Sequence, residues 1–449
     1  MAARPPADTI RVRVQEIRNK RVTVAGLGRF GGGIAVARWL VENGAAVLVT
    51  DQAPPEKLGD SVAKLDGLPI EFRLGEQREE DFSRADLVVA SPAVAPSSPY
   101  LKAARAAGVP VTTEVRLFAE RCPATVIGVT GTKGKSTATA MLGEVLRRGS
   151  FTTWVGGNIG HSLLPDLARI DTRDVVVLEL SSFMLEYLGE MRWSPHVALV
   201  TMVSHDHLEW HGSAEAYLDA KRNVVRYQRP DDFAVLCEDD ALGMSFRQYT
   251  RAKVVRYGVN GRRPFELLVP GRHNQLNAQG AFAAANLLGV DWDAAQAALK
   301  EFRGLPHRLQ LVHESPQGVR YYNDSIATIP EAAVAALDSF PPKRVIQIVG
   351  GSDKGLSLTG MCNALVERAK AVMCIGLIGK RIAEIMAQSP HQGGAAIYDC
   401  GDLATAMKMA GSIATRGDVV LLSTGCASYD QFVNFEQRGE AFTGLAREV

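Results

Sequence analysis

The chain has 449 residues, too many for one ordinary hydrophobic core, and its length suggests about three domains. Hydrophobic residues make up 46% and charged residues 22%, the mix of a globular protein and not of a disordered one. Lys plus Arg number 50 against 49 Asp plus Glu, a balance that gives no footing for nucleic-acid binding or a membrane-surface role. The six cysteines are scattered without a CxxC pair, so they read as thiols of a reducing compartment. Met1 to Lys20 is basic but lacks the apolar core of a signal peptide, and no run of 18 apolar residues occurs. A cytoplasmic protein without membrane insertion is expected.

In chain order, the run Arg21–Gly26 reads as a strand entering Gly26-Leu-Gly28-Arg29-Phe30-Gly31, with a helical pattern to Val41 and a second strand, Ala46–Asp51. This is the pattern of a βαβ cradle: glycines let the backbone approach a diphosphate, and the helix start offers N–H groups. Asp51, at the end of the second strand, is placed to hold a ribose hydroxyl. Alone, this stretch fits a nicotinamide-dependent dehydrogenase, although it specifies only diphosphate and ribose. A further strand is expected at Asp86–Ser91.

The next strand, Val126–Gly131, runs into Thr130-Gly131-Thr132-Lys133-Gly134-Lys135-Ser136-Thr137. Such a loop wraps phosphate oxygens with backbone N–H groups; Lys135 neutralises β/γ charge and Ser136 ligates Mg²⁺. Val129 stands where the general phosphate loop has glycine. Alone, the loop also fits a regulatory ATPase acting as a switch.

The strand Asp174–Leu180 carries Glu179 at its end, where a carboxylate is costly unless it meets a cation or donors. His196–Val203 then leads into Ser204-His205-Asp206-His207-Leu-Glu-Trp-His211. His207 and His211 have zinc-like spacing, but no second ligand set accompanies them, so Mg²⁺ with a phosphate substrate is simpler and His207 is the expected contributor. Later strands are expected at Arg344–Gly350, Val372–Ile375 and Asp418–Ser423.

Strands alternating with alanine-rich helical patterns define an α/β protein with parallel sheets. Three domains are expected: 1–114, Rossmann-like and UDP-binding; 115–303, a central parallel sheet of P-loop ATPase type binding ATP; and 304–449, Rossmann-like and glutamate-binding. The ligand assignments come from the resemblance that follows.

The segments GTKGKST, GGNIG (Gly156–Gly160), LELSSF (Leu178–Phe183), HDH (His205–His207), GRHNQLNAQGA (Gly271–Ala281), FRGLPHR (Phe302–Arg308), NDSIAT (Asn323–Thr328), GGSDKG (Gly350–Gly355) and LLSTGCASYDQFVNFEQRG (Leu421–Gly439) occur in one order. Together they resemble the Mur ligase family from about Val22 to the C-terminus.

The resemblance implies an ATP-dependent ligase that forms an amide bond between glutamate and UDP-MurNAc-L-alanine through an acyl phosphate, in peptidoglycan precursor synthesis. It assigns the UDP-substrate to Gly28, Arg29, Phe30, Gly31 and Asp51, with Asn158 and His207 toward the muramoyl-alanine. ATP falls to Gly131, Thr132, Lys133, Gly134, Lys135, Ser136 and Thr137, with Asn274, Asn277, Arg308 and Asp324. Two Mg²⁺ ions are implied, with Ser136, Glu179, His207 and Lys221 as the metal set and Lys221 carbamylated. Thr328, Lys354, Ser428 and Phe435 match positions that hold glutamate. Lys135, His207, Lys221, Arg308 and Asp324 are the residues expected to carry the chemistry; the base that deprotonates the amine is Asp206, His207 or His307. A monomer is expected.

One departure stands out. The family motif reads NDSKATN, whereas here Ile326 and Ile329 follow Asn323-Asp324-Ser325. Ile326 cannot supply the missing lysine's charge, which leaves L-glutamate, or another amino acid added by a ligase of the same family, as the alternative to D-glutamate. Ser91-Pro-Ala93 in place of SPG is milder.

Overall fold

The computed structural model describes residues 17–28, 31–92, 94–389 and 394–448. It contains three sheets in two compact units. One unit comprises the chain up to Arg263 with Leu276–Ala295, and the other comprises Pro264–Gln275 with Gln296–Val449.

The first unit holds two parallel sheets. Strands β1 (Arg21–Ala25), β2 (Ala46–Asp51), β3 (Ile70–Leu74), β4 (Leu87–Ala90) and β5 (Val111–Thr113) lie in the order β3-β2-β1-β4-β5. The second sheet is built from β6 (Thr125–Thr130), β7 (Thr153–Gly157), β8 (Val175–Glu179), β9 (Val197–Val200), β10 (Phe233–Cys237) and β11 (Lys253–Tyr257), in the order β11-β10-β9-β6-β8-β7. In both, the strand preceding a glycine turn lies where the strand order reverses. An open parallel sheet presents its ligand crevice there, outside the carboxyl ends.

Burial explains which runs were readable in the sequence. β8, β9 and β4 are buried at every position and appear as unbroken apolar runs, as a sheet covered on both faces requires. Edge strand β3 (IEFRL) has no fully buried residue, and its charged alternation hides it. One core runs through both sheets of this unit, from Val22, Trp39 and Phe118 to Leu178 and Leu185.

The second unit carries β12 (Gln310–Glu314), β13 (Arg320–Asn323), β14 (Val345–Gly350), β15 (Ala371–Ile375), β16 (Ala396–Gly401) and β17 (Val419–Leu422), in the order β12-β13-β17-β14-β15-β16. This sheet is mixed: β12 pairs antiparallel with β13 across the turn at Gly318, and the other pairings are parallel. The short span from Glu314 to Arg320 permits only a hairpin, because a parallel return needs a dozen residues or more. Separate apolar clusters cover its two faces, one around Leu365 and Met361, the other around Ile348 and Phe442.

Among the described residues no helix is long and apolar enough to cross a membrane. All six cysteines are free thiols, and burial pushes those of Cys374 and Cys426 up to about 12.

Candidate functional site

The phosphate loop leaves β6 at Thr130 and turns into the helix Lys135–Arg148 through Gly134, whose φ of 87° is left-handed. A Cβ at Gly134 would stand 2.4 Å from Asn277 Oδ1, so glycine is required both by conformation and by the close approach of Asn277. No side chain caps this helix, which leaves its first-turn amide dipoles for an anion. Lys135 Nζ donates to Thr132 O at 3.0 Å, folding its charge back over the loop. Thr132 Oγ1 donates to Ser204 O, accepts from Ser204 N and meets Tyr217 Oη, each at 2.9 Å. The loop after β6 is thereby tied to the segment after β9.

Glu179 closes β8 and is 1% exposed. Asn158 Nδ2 donates to its Oε1 at 2.8 Å, while Oε2 is buried with no hydrogen-bond partner. An unpaired buried carboxylate oxygen is expensive to desolvate and is matched best by a cation. Lys221, also 1% exposed, lies on the helix Ala214–Arg226; its Nζ donates to Gly131 O at 2.7 Å and sits 4.8 Å from the centre of the Tyr217 ring. Burial chiefly, then repulsion from Lys135, lowers its pKa to about 7 against the opposing pull of Asp206 and Glu179.

This chemistry fits a phosphate-bound divalent cation. Among the described residues no cluster of three or more His, Cys, Asp or Glu could hold a metal by itself. Magnesium binds well with one or two protein oxygens and substrate phosphates, and the bare Glu179 oxygen would supply one such position.

The other expected site residues of this unit fall as follows. His207 has left-handed backbone (φ 49°) at the head of the one-turn helix Leu208–His211, with a half-exposed side chain beside Asp206. Asp206 Oδ1 accepts its N–H at 2.9 Å, and its ring lies 4.9 Å from that of Phe183.

At the first glycine turn the helix Gly32–Glu42 starts from Gly31. Asp51 points into the turn: Oδ2 accepts the N–H groups of Leu27 (2.9 Å) and Gly28 (3.1 Å), and Oδ1 that of Ala53 (2.9 Å). A ribose partner would have to share a carboxylate already holding three backbone donors. Arg29 and Phe30 lie outside the described residues.

In the second unit, Asp324 is 5% exposed and accepts Ser423 Oγ (2.7 Å) and Leu309 N (3.0 Å). Burial raises its carboxyl to about 7, opposed by those bonds and by the nearby charge of Arg308. His307 (φ 59°) meets Asn323 Nδ2 at 3.1 Å and the edge of Phe435 at 5.9 Å between ring centres. Lys354 Nζ donates to Thr328 Oγ1 at 3.1 Å, bringing together two of the four residues expected to hold glutamate. Ser428 is buried, and Phe435 opens the helix Phe435–Arg447. Asn274 Nδ2 donates to Pro270 O at 2.7 Å.

Sequence reasoning passed over Arg438, which is 1% exposed and donates to Ser325 Oγ, Ser325 O and Cys426 O. An arginine beside a glycine in a polar helix carried no signal of burial. Tyr217, four residues before Lys221 and so on the same helix face, was findable from that spacing.

A lysine-bearing phosphate loop at the switch point of a parallel sheet, with a bare buried acid and a low-pKa lysine behind it, defines a nucleoside-triphosphate enzyme. The sequence matches, in chain order, the Mur ligase MurD-like N-terminal domain over residues 20–113, the Mur ligase middle domain over 129–266 and the Mur ligase glutamate ligase domain over 307–426. It is 40% identical to a UDP-N-acetylmuramoylalanine–D-glutamate ligase of Roseiflexus sp., with 95% of this chain and 98% of the relative covered. It is 37% identical to the protein of that name from Symbiobacterium thermophilum, over 98% and 99%. Among solved structures, UDP-N-acetylmuramate-alanine ligase of Thermotoga maritima shares the fold at a TM-score of 0.59 and 23% identity, covering 96% of this chain and 100% of that one. The MurF ligase of Thermotoga maritima in complex with ADP follows at 0.55 and 19%, covering 98% and 97%. The chain belongs to the Mur ligase family and is an ATP-dependent ligase.

Proposed function

We propose that this chain joins D-glutamate to UDP-N-acetylmuramoyl-L-alanine, as a cytoplasmic monomer supplying peptidoglycan precursor. The observation that carries this is near-full-length similarity to ligases bearing that substrate pair in their name, including the MurD-like N-terminal domain. Those relatives favour D-glutamate over L-glutamate despite Ile326.

Residues 1–114 take the UDP portion at the turn of Gly28, Arg29, Phe30 and Gly31, with Asp51 behind it; residues 115–303 take ATP on Gly131 to Thr137 and Asn277; residues 304–449 take glutamate on Thr328, Lys354, Ser428 and Phe435. Asn274, Arg308 and Asp324 complete the nucleotide contacts, and Asn158 and His207 meet the muramoyl-alanine. Ser136 and Glu179, with His207 and a carbamylated Lys221, would hold Mg²⁺. Bound there, Mg²⁺ neutralises phosphate charge. Only a neutral amine adds to CO₂, and a lysine whose pKa is lowered to about 7 offers a large neutral fraction at neutral pH.

In the reaction, an oxygen of the alanyl carboxylate attacks the γ-phosphorus of ATP, and ADP leaves. The glutamate nitrogen then attacks the acyl carbon, a base (Asp206, His207 or His307) takes its proton, and inorganic phosphate departs. Lys135 offsets charge that moves between oxygens, so this chain acts through positioning and electrostatics. Phosphate release is expected only with ATP, UDP-N-acetylmuramoyl-L-alanine and D-glutamate together. Equal or better turnover with L-glutamate would refute the stereochemical assignment, and no turnover with either would refute the substrate pair.

A further inference from the structure

The two histidines of the His207–His211 pair have different surroundings. His207 is half exposed, whereas His211 is surrounded by rings and a hydroxyl. Its Nε2 lies 3.0 Å from Ser182 Oγ, in the segment that follows Glu179. Its ring is parallel to that of Phe183, within 4° at 5.7 Å, and stands edge-on to Tyr217 at 5.4 Å and Trp210 at 4.5 Å. Tyr217 in turn meets Thr132 of the phosphate loop through its hydroxyl at 2.9 Å. One imidazole thus touches the start of the helix that follows β8 directly and the loop after β6 through a single intermediary.

The helix Leu208–His211 needs such a fastening. None of its residues is buried, Leu208 is 48% exposed, and the turn begins at His207 in left-handed backbone, an uncommon state for a side-chain-bearing residue. Little apolar burial opposes the entropy of fixing this segment, so ring contacts and polar bonds must do so.

We propose that His211 is a positioning residue for ligation, holding Asp206 and His207 in register with Glu179 and the phosphate loop through its contact with Ser182. This rests on the ligase reading above.

The test uses the full chain in the phosphate-release assay, comparing His211→Phe, Ser182→Ala and the double variant. His211→Phe keeps a ring in the stack and removes the polar contact; Ser182→Ala removes the same contact from the other side and leaves the rings intact, which serves if the first variant fails to fold. Each single variant is expected to lower kcat about tenfold with KM for ATP within about twofold, and the double variant to lose no more than either single one. A general loss of packing would not give that non-additive kcat effect. Single variants with kcat within about twofold of wild type, or losses that multiply in the double variant, overturn the inference. A wild-type chain inactive in this assay overturns the proposed function and this inference with it; an active wild type with unchanged variants overturns this inference alone.

Discussion

The first unit contains the same local architecture twice, a central parallel strand that turns through glycine into an uncapped helix, at Gly31 and at Gly134. What differs is the acid from the adjacent strand. Asp51, from β2, spends both oxygens on backbone N–H groups of its own turn region. Glu179, from β8, accepts one amide and leaves its second oxygen buried and bare, with the charge of Lys221 acting on the same region. At the first turn the carboxylate is therefore engaged by its own chain. The second retains unbalanced charge that a nucleotide and its metal ion would complete. On the proposed function, similar glycine spacing would give a binding surface in one place and a reactive one in the other, with the adjacent acid as the difference between them.

Breaking the second turn should have the largest effect. Lys135→Ala is expected to lower ATP-dependent ligation by about 10³-fold or more while the thermal unfolding midpoint stays near wild type; near-normal turnover in a folded variant would remove Lys135 from the phosphate site.

Asp324 extends the contrast to a buried acid whose hydrogen bonds come from neutral donors. Its folded pKa of about 7 lies above the ordinary 3.8, so the folded state holds the proton more tightly. Its contribution to stability is full below about pH 4 and is lost as pH rises to about 7, by about 4 kcal/mol over that window. Urea unfolding of wild type and Asp324→Asn at pH 4.5 and pH 8 should show the variant gaining relative stability at the higher pH, though inactive; parallel behaviour of the two proteins would sink this account.

Lys221→Ala should cost about 100-fold in kcat, with part of the activity regained when a short carboxylic acid is added to stand in for the carbamate. Failure of rescue across acids of several sizes would count against carbamylation. The smallest effect is expected at the satisfied turn. Asp51→Asn weakens bonds to Leu27 and Gly28, and should raise KM for the UDP-substrate by about tenfold with kcat little changed, a loss of about 1–1.5 kcal/mol. A kcat defect larger than that of Lys221→Ala would reverse the ranking of the two turns.

The sequence made the central strands legible because parallel strands covered on both faces are continuous apolar runs: Val175–Glu179 and Val197–Val200 could hardly be anything else. Edge strands such as β3 and β16, half wet and interrupted by charge, carry little of that signal. The antiparallel β12 escaped because its hairpin reads as another short polar stretch. At the site, motif spacing located Lys135, Glu179 and His207. It could not reveal that Asp51 faces its own turn, that His211 is walled in by rings, or that Arg438 is buried. Those facts depend on side-chain direction and on neighbours distant in sequence, such as Ser325 for Arg438, 113 residues away.

Arg438 has a consequence for the charge inside the second unit. Burial pushes its guanidinium down to about 10, which still leaves it protonated at neutral pH, and its hydrogen bonds go to a hydroxyl and two carbonyls, none of which cancels the charge. A cation set in a poorly polarisable interior acts over several ångströms and is little dimmed by dissolved salt. Beneath Ser325, next to Ile326, the protein therefore keeps a fixed positive charge that stays protonated across the physiological range, with the acid of Asp430 acting on it.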